Sequence, residues 1–276
     1  MTIPFITRSE YADLVQSGVL PGEFAWFATD TEQLFQHNVQ RHPRRMQPFL
    51  DQTVTYTINS QGFRTEEFHT IDWAESVVVF GCSTVFGDAV TDSDTLSSQL
   101  SQLIDRPVIN MGVSGAGMDL MSKNNLVLWR HCPRPWRVVN VWTGWDRITE
   151  YTELGANCYG SWTQGVNSWQ DTTIFQRLRG QRASGYATVS RAQQWADVYA
   201  TVNQDPWHQR VELLFHSQTV QAVWGDRSRQ FTWQVDTQQA LGCELLAWNF
   251  GLTARDLIHP DSATLGQWAE QIARSL

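Results

Sequence analysis

From Ser76 onward, short β-branched runs alternate with stretches of helical period, which restricts the chain to βαβ units around a parallel sheet. Ser76 to Phe80 is the first run. It stops at the turn Gly81-Cys82-Ser83-Thr84, after which Leu96, Leu100, Leu103 and Ile104 share one face of a helix. Pro107 to Met111 makes a second strand, closed by Gly112-Val113-Ser114-Gly115-Ala116-Gly117 and followed by a helix of about 15 residues. Arg137-Val138-Val139-Asn140-Val141-Trp142 reads as a third strand buried on both faces, as parallel strands usually are.

Beyond it, Thr149 to Asn203 is rich in Gly, Asn, Gln and Trp and reads as a loop and helix insertion over one end of the sheet. Asp205 and Pro206 form a helix start, and that helix is expected to lead into a fourth strand near Thr219 to Trp224. A weaker fifth strand lies around Glu244 to Trp248. In the last helix Leu265, Trp268, Ala269, Ile272 and Leu276 form one apolar stripe, with Asp261 or Ser262 as cap. The alternating run Thr53 to Ile58, then Asn59-Ser60-Gln61-Gly62-Phe63-Arg64, reads as a β-hairpin packed beside the sheet. The expected layout is a three-layer α/β/α sandwich over 71–276, with an N-terminal arm over 1–70 and an insertion over 149–203.

Composition narrows the function. A net charge of −8, with Lys123 the single lysine among 20 basic residues, argues against a nucleic-acid surface. No run approaches the length of apolar chain that spans a bilayer, and Met1 to Glu10 lacks the pattern of a signal peptide. Cys82, Cys132, Cys158 and Cys243 are far apart, so neither a disulfide framework nor a zinc site is expected, and the location expected is cytoplasmic. No metal and no cofactor is expected, and the sequence sets no oligomeric state.

Ligands on open α/β sheets bind beyond the carboxyl ends of the strands, so Ser83, Gly115 and the stretch Thr143 to Asp146 are expected to converge. Asp256-Leu257-Ile258-His259-Pro260 precedes the last helix. Ser, Asp, His is a chain order in which a nucleophilic triad can be assembled: a serine hydroxyl needs a neutral imidazole to take its proton, and the imidazole needs a carboxylate on its other nitrogen. Histidine as base predicts a rate that rises with pH near neutrality. A dinucleotide loop is not supported, because Gly112, Gly115 and Gly117 fall in the reverse of the G-x-G-x-x-G order.

Phe80-Gly81-Cys82-Ser83-Thr84-Val85-Phe86-Gly87 resembles the first block of the GDSL, or SGNH, hydrolases. Asn110 to Gly115 resembles their second block, and Asp256-x-x-His259-Pro260 their last. The segment Asn59 to Arg64 is similar to one that often precedes the first block. The resemblance covers about residues 56 to 270 and implies a flavodoxin-like α/β fold. It implies Ser83 as nucleophile, His259 as base, Asp256 as its orienter, and backbone N–H groups of Ser83 and Gly115 in an oxyanion hole. The resemblance implies an ester substrate, and Trp145, Trp162 and Trp169, in loops near the expected site, favour a small-molecule or carbohydrate ester, an O-acetyl ester among them, with Thr143, Trp145, Asp146 and Arg147 expected to line its cleft.

Two positions depart from the pattern. Cys82 stands where the family has Asp, and Thr143-Gly144-Trp145-Asp146 replaces Gly-x-Asn-Asp, so the asparagine that completes the oxyanion hole is missing. Thr143, Arg147, Asn124 and Asn125 are the candidate substitutes. The missing asparagine also fits a second reading, a binding or structural protein of this fold that docks a glycan or protein partner on aromatic loops carrying Trp145, Trp162 and Trp169.

Overall fold

The computed structural model describes residues 21–144, 147–152, 155–159, 206–249 and 251–276. Trp145, Asp146, Trp162, Trp169 and most of the expected insertion lie outside the described residues. In chain order the elements are β1 (Gly22–Phe24), α1 (Glu32–Arg41), β2 (Tyr56–Ile58), β3 (Val77–Gly81), α2 (Ser83–Phe86), α3 (Leu96–Ile104), β4 (Val108–Gly112), α4 (Met118–His131), β5 (Arg137–Trp142), β6 (Ile148–Thr152), β7 (Gly155–Tyr159), α5 (Pro206–Trp224), β8 (Ser228–Thr232), α6 (Val235–Leu241), β9 (Glu244–Leu245) and α7 (Ser262–Ala273).

Five strands form one parallel sheet in the order β4-β3-β5-β8-β9. This is the flavodoxin-like arrangement, with the strand order reversing at β3. Because side chains alternate along a strand, each face of the sheet carries its own core. Val78, Phe80, Ile109, Met111, Val138 and Trp142 pack under α4 and α5. Val77, Val79, Val139, Val141 and Phe231 pack under α3 and α7 through Leu96, Leu100, Leu265, Trp268 and Ile272. Fully burying a side chain of the Val, Leu or Phe type is worth about 1.5–3 kcal/mol, and here both faces collect it. The result is the expected three-layer sandwich.

Three local expectations are corrected. Thr219 to Trp224 is not a strand but the last turns of α5, where Leu213, Val220 and Trp224 are buried at helical spacing while Val211 and Phe215 stay exposed. The fourth strand is β8, whose polar sequence Ser-Arg-Gln-Phe-Thr hides it. Arg229 escapes the interior by donating to the Ser275 carbonyl, and the Gln230 side chain accepts from Trp142 Nε1 and Ser217 Oγ. The run ending at Ile58 is not one arm of a hairpin turning at Gln61-Gly62: β2 pairs antiparallel with β1, more than 30 residues earlier. This ribbon does lie beside the main sheet, closed by stacking of Phe27 on Phe86 at 5.0 Å and of Tyr56 on Phe86 at 6.2 Å. The fifth strand is also shorter than expected, two residues.

Candidate active site

The carboxyl ends of β3 and β4 carry glycines because α2 is seated directly on them. A Cβ on Gly112 would stand 2.3 Å from the Phe86 backbone nitrogen, and one on Gly81 would stand 2.2 Å from Val85 Cγ2. Cys82 is extended, and the chain turns into α2 at Ser83 with its side chain at the top of the sheet. Ser83 is 7% exposed.

The partner arrives on the loop before α7. Asp256 Oδ1 accepts from the backbone N–H of Ile258 at 3.0 Å and of His259 at 3.1 Å, so the side chain organises its own turn. Leu257 adopts φ +61, a left-handed conformation that costs a non-glycine residue about 1–3 kcal/mol. The turn is held by Leu257 N–H to the Ala254 carbonyl and Ala254 N–H to the His259 carbonyl, both 2.9 Å. In it, His259 Nδ1 lies 2.6 Å from Asp256 Oδ2 and Nε2 lies 2.8 Å from Ser83 Oγ. Ser83, His259 and Asp256 thus form one hydrogen-bonded chain, all three buried.

The N-terminal segment braces this loop, which local sequence reading could not foresee because the contacts join residues more than 200 positions apart. Thr29 Oγ1 donates to Asp256 Oδ2 at 2.9 Å. Asn38 Nδ2 donates to the carbonyls of Arg255 and Asp256 at 3.4 and 3.1 Å. Arg255 Nη2 meets Asp30 Oδ2 at 2.6 Å, both side chains buried, and Tyr56 Oη donates to the same Asp30 oxygen at 2.6 Å.

A second carboxylate stands on the Nε2 side of the imidazole. Asp88 Oδ2 lies 3.9 Å from His259 Nε2 and accepts from Ser114 Oγ at 2.8 Å. Burial pushes the Asp88 carboxyl up to about 6, against the pull of His259 and Ser114. Burial alone would lower His259; Asp256 first, and then Asp88 and Cys82, override it and raise the imidazole to about 9. Burial would raise Asp256, but His259 and the two backbone N–H groups hold it below the usual carboxylate range. Two facing carboxylates thus hold the imidazole above its ordinary value of 6.5.

Of the other expected site residues, Gly115 sits on the neighbouring strand end in a turn closed by Ala116 N–H to the Val113 carbonyl. Its φ of +83 is a value this turn position leaves to glycine. Thr143 is fully buried at the end of β5. Arg147 Nη1 donates to the Ala116 carbonyl at 3.1 Å, beside the same turn. Asn125 faces away from the site: its Nδ2 donates to the Met121 carbonyl and to Asn140 Oδ1, and its Oδ1 accepts from Trp224 Nε1, so it serves the core. Burial pushes the Cys82 thiol up, but the Arg147 charge, with hydrogen bonds from Thr84 and Thr143, brings it down to about 7. Burial, with the neighbouring Glu244 charge, pushes the Cys243 thiol up to about 11, an inert thiol by comparison.

Among the described residues no cluster of three or more His, Cys, Asp or Glu is arranged to hold a metal ion, and no helix is long and apolar enough to cross a membrane. No family model and no curated protein matches the sequence. Among solved structures, the chain is similar to a protein described as lipolytic and of the G-D-S-L family from Desulfitobacterium hafniense DCB-2. That match has 13% identity and a TM-score of 0.36, over 73% of this chain and 99% of the other. It is also similar to a carbohydrate esterase family 2 enzyme with a carbohydrate-binding domain from Corynascus thermopiles (Myceliophthora fergusii), at 12% identity and TM-score 0.33, over 72% of this chain and 64% of the other. A protein described as a GDSL-like lipase from Bacteroides ovatus ATCC 8483 matches at 12% identity and TM-score 0.36, over 72% of this chain and 52% of the other.

Proposed function

We propose that the protein is a serine hydrolase of the SGNH type acting on esters. The observation that carries this reading is the hydrogen-bonded chain from Ser83 Oγ through His259 to Asp256. Ser83 attacks the ester carbonyl while its proton passes to His259 Nε2; His259 then protonates the departing alcohol, and water releases the acyl group by the same route in reverse. Asp256 fixes the imidazole with Nδ1–H toward itself, leaving Nε2 free to accept, and offsets the positive charge that forms. The oxyanion would be met by the backbone N–H groups of Ser83 and Gly115. Arg147, which already bonds the neighbouring Ala116 carbonyl, is the candidate for the donor that the absent asparagine would supply.

For the substrate class, Trp145, Trp162 and Trp169 in the sequence favour a carbohydrate ester, with an O-acetyl group as the simplest case. A fluorophosphonate probe tests the reaction class. Labelling at Ser83 that is abolished in Ser83→Ala and weakened in His259→Ala supports the enzyme. Absence of labelling together with no turnover of short-chain aryl esters at any pH up to about 10 would leave the binding protein as the reading.

A further inference from the structure

We propose that Asp88 is a positioning residue whose carboxylate acts on the imidazolium form of His259 from the side opposite Asp256. It thereby delays the release of the resting proton and steadies the ion pair formed when Ser83 attacks. The inference rests on the reading of Ser83 and His259 as nucleophile and base.

The geometry is specific. Asp88 is 1% exposed, and its Oδ1 is buried without a hydrogen-bond partner among the described residues. A buried carboxylate requires a compensating charge, and the ion pair that Asp88 makes is with His259, Oδ2 to Nε2 at 3.9 Å. Arg64 lies behind the loop and lowers the carboxyl of Asp88 by its charge, but its own donors go to Asp92 Oδ1 and to the carbonyls of Thr55, Gly87 and Val90. Among the described residues, the groups that face His259 are therefore Asp256 on its own loop, Thr29 from the N-terminal segment, Asp88 after α2, and Cys82 and Ser83 where β3 passes into α2. Arg147 acts on Cys82, and the Arg255–Asp30 pair lies beyond Asp256.

Asp88 is also held where it is. Ser114 Oγ fixes Oδ2, the Arg64 guanidinium gathers the carbonyls on both sides of residue 88, and the Ala89 N–H donates to Tyr56 Oη at 2.8 Å. Ala89 accepts φ +66 to make that turn, a left-handed conformation at a non-glycine residue. The loop is thus pinned by the N-terminal segment so that one carboxylate reaches the imidazole.

A carboxylate at this distance raises the imidazole's affinity for a proton whether that proton comes from water or from Ser83. Removing its charge has two opposite effects: the base becomes available at lower pH, and the imidazolium of the transition state loses support. A residue that merely packed would produce neither shift.

The test is a titration of histidine-labelled full chain by NMR, wild type against Asp88→Asn, with the His259 resonance identified among the seven histidines by its loss in His259→Gln. The midpoint for His259 is expected to fall by about 1 unit in Asp88→Asn. The acid limb of Ser83 labelling by a fluorophosphonate should move by the same amount, while the alkaline plateau of the labelling rate drops about 3–30-fold. An unchanged or raised midpoint overturns the proposal. Ser114→Ala, which keeps Asp88 and removes its fixing hydroxyl, should shift the midpoint the same way by less, and an unchanged midpoint there overturns the proposal if Asp88→Asn does not fold. A shifted midpoint with no Ser83 labelling in wild type upholds the Asp88 pairing and sinks the hydrolase reading instead, so the two failures are distinct.

Discussion

Thr29 Oγ1 and His259 Nδ1 converge on one oxygen, Asp256 Oδ2, at 2.9 and 2.6 Å. A hydroxyl from the far N-terminal side therefore shares the carboxylate that orients the imidazole. Thr29→Val keeps the shape and removes the donor. Because a hydrogen bond to an ionised group is worth about 1.5–3 kcal/mol, kcat/KM for an aryl ester should fall about 10-fold with KM little changed. Asp256→Asn, which favours the wrong tautomer, should fall much further, by about 10⁴-fold in kcat. Equal losses in the two variants would contradict this ordering.

Activity and stability should run in opposite directions between neutral and alkaline pH. His259 is raised to about 9 from an ordinary 6.5, so the base becomes available as pH climbs toward 9, and kcat/KM should rise along that limb. The sign for stability is the reverse. A raised folded value means that the charged imidazole stabilises the fold fully below pH 6.5, and this contribution is lost as pH rises through 9. Urea unfolding at pH 6.5 and 9.5 in wild type and His259→Gln measures it: the decline across that interval should be smaller in the variant. Asp256, held low, contributes at the other end, where its share is lost in acid.

The buried pair of Asp30 and Arg255 should behave asymmetrically. Burial raises Asp30 in spite of Arg255 and Tyr56, so the pair is not strongly favourable as a whole. Breaking it with Asp30→Ala strands the guanidinium and should cost about 3–5 kcal/mol in urea unfolding. The double change Asp30→Leu with Arg255→Met should recover much of that loss. Its activity should remain depressed, because Asn38 then braces the His259 loop without the ion pair.

The seat of α2 predicts a sharp intolerance. In Gly112→Ala the new methyl meets first the backbone atoms of Phe86 and Val85, which cannot swing aside, and then Asn110 Oδ1, and overpacking of that kind costs about 1–3 kcal/mol. The displaced helix also carries Ser83, so fluorophosphonate labelling should slow by more than the fraction unfolded accounts for. Labelling that falls only in step with unfolding, measured by circular dichroism on the same sample, would count against this seat.

What could be read from sequence followed local physics. β5 was legible as a strand because Val138, Val139 and Val141 are apolar on both faces, and α7 because Leu265, Trp268 and Ile272 keep a helical period. The meeting of Ser83, Asp256 and His259 was legible because each lies in a short block with its own turn chemistry. β8 was concealed by Arg229 and Gln230, whose polar ends find partners that only the folded chain supplies. The β2 partner, Thr29, Asp30 and Asn38 were invisible for a related reason: their bonds span large sequence separations, and nothing beside them in sequence marks the need. Asp88 stood within reach, five residues after Ser83, but its meaning comes from the imidazole above it rather than from its neighbours.

The separation of Ser83 from His259 by 176 positions has a consequence in time. Ribosomes extend a chain at about 5–20 residues per second, so Ser83 is made roughly 9–35 s before the histidine it is hydrogen-bonded to. Throughout that interval the nascent chain carries an ordinary alcohol. On the proposed reading, Ser83 gains its base only once the loop of residues 253–260 has packed against Thr29 and Asn38.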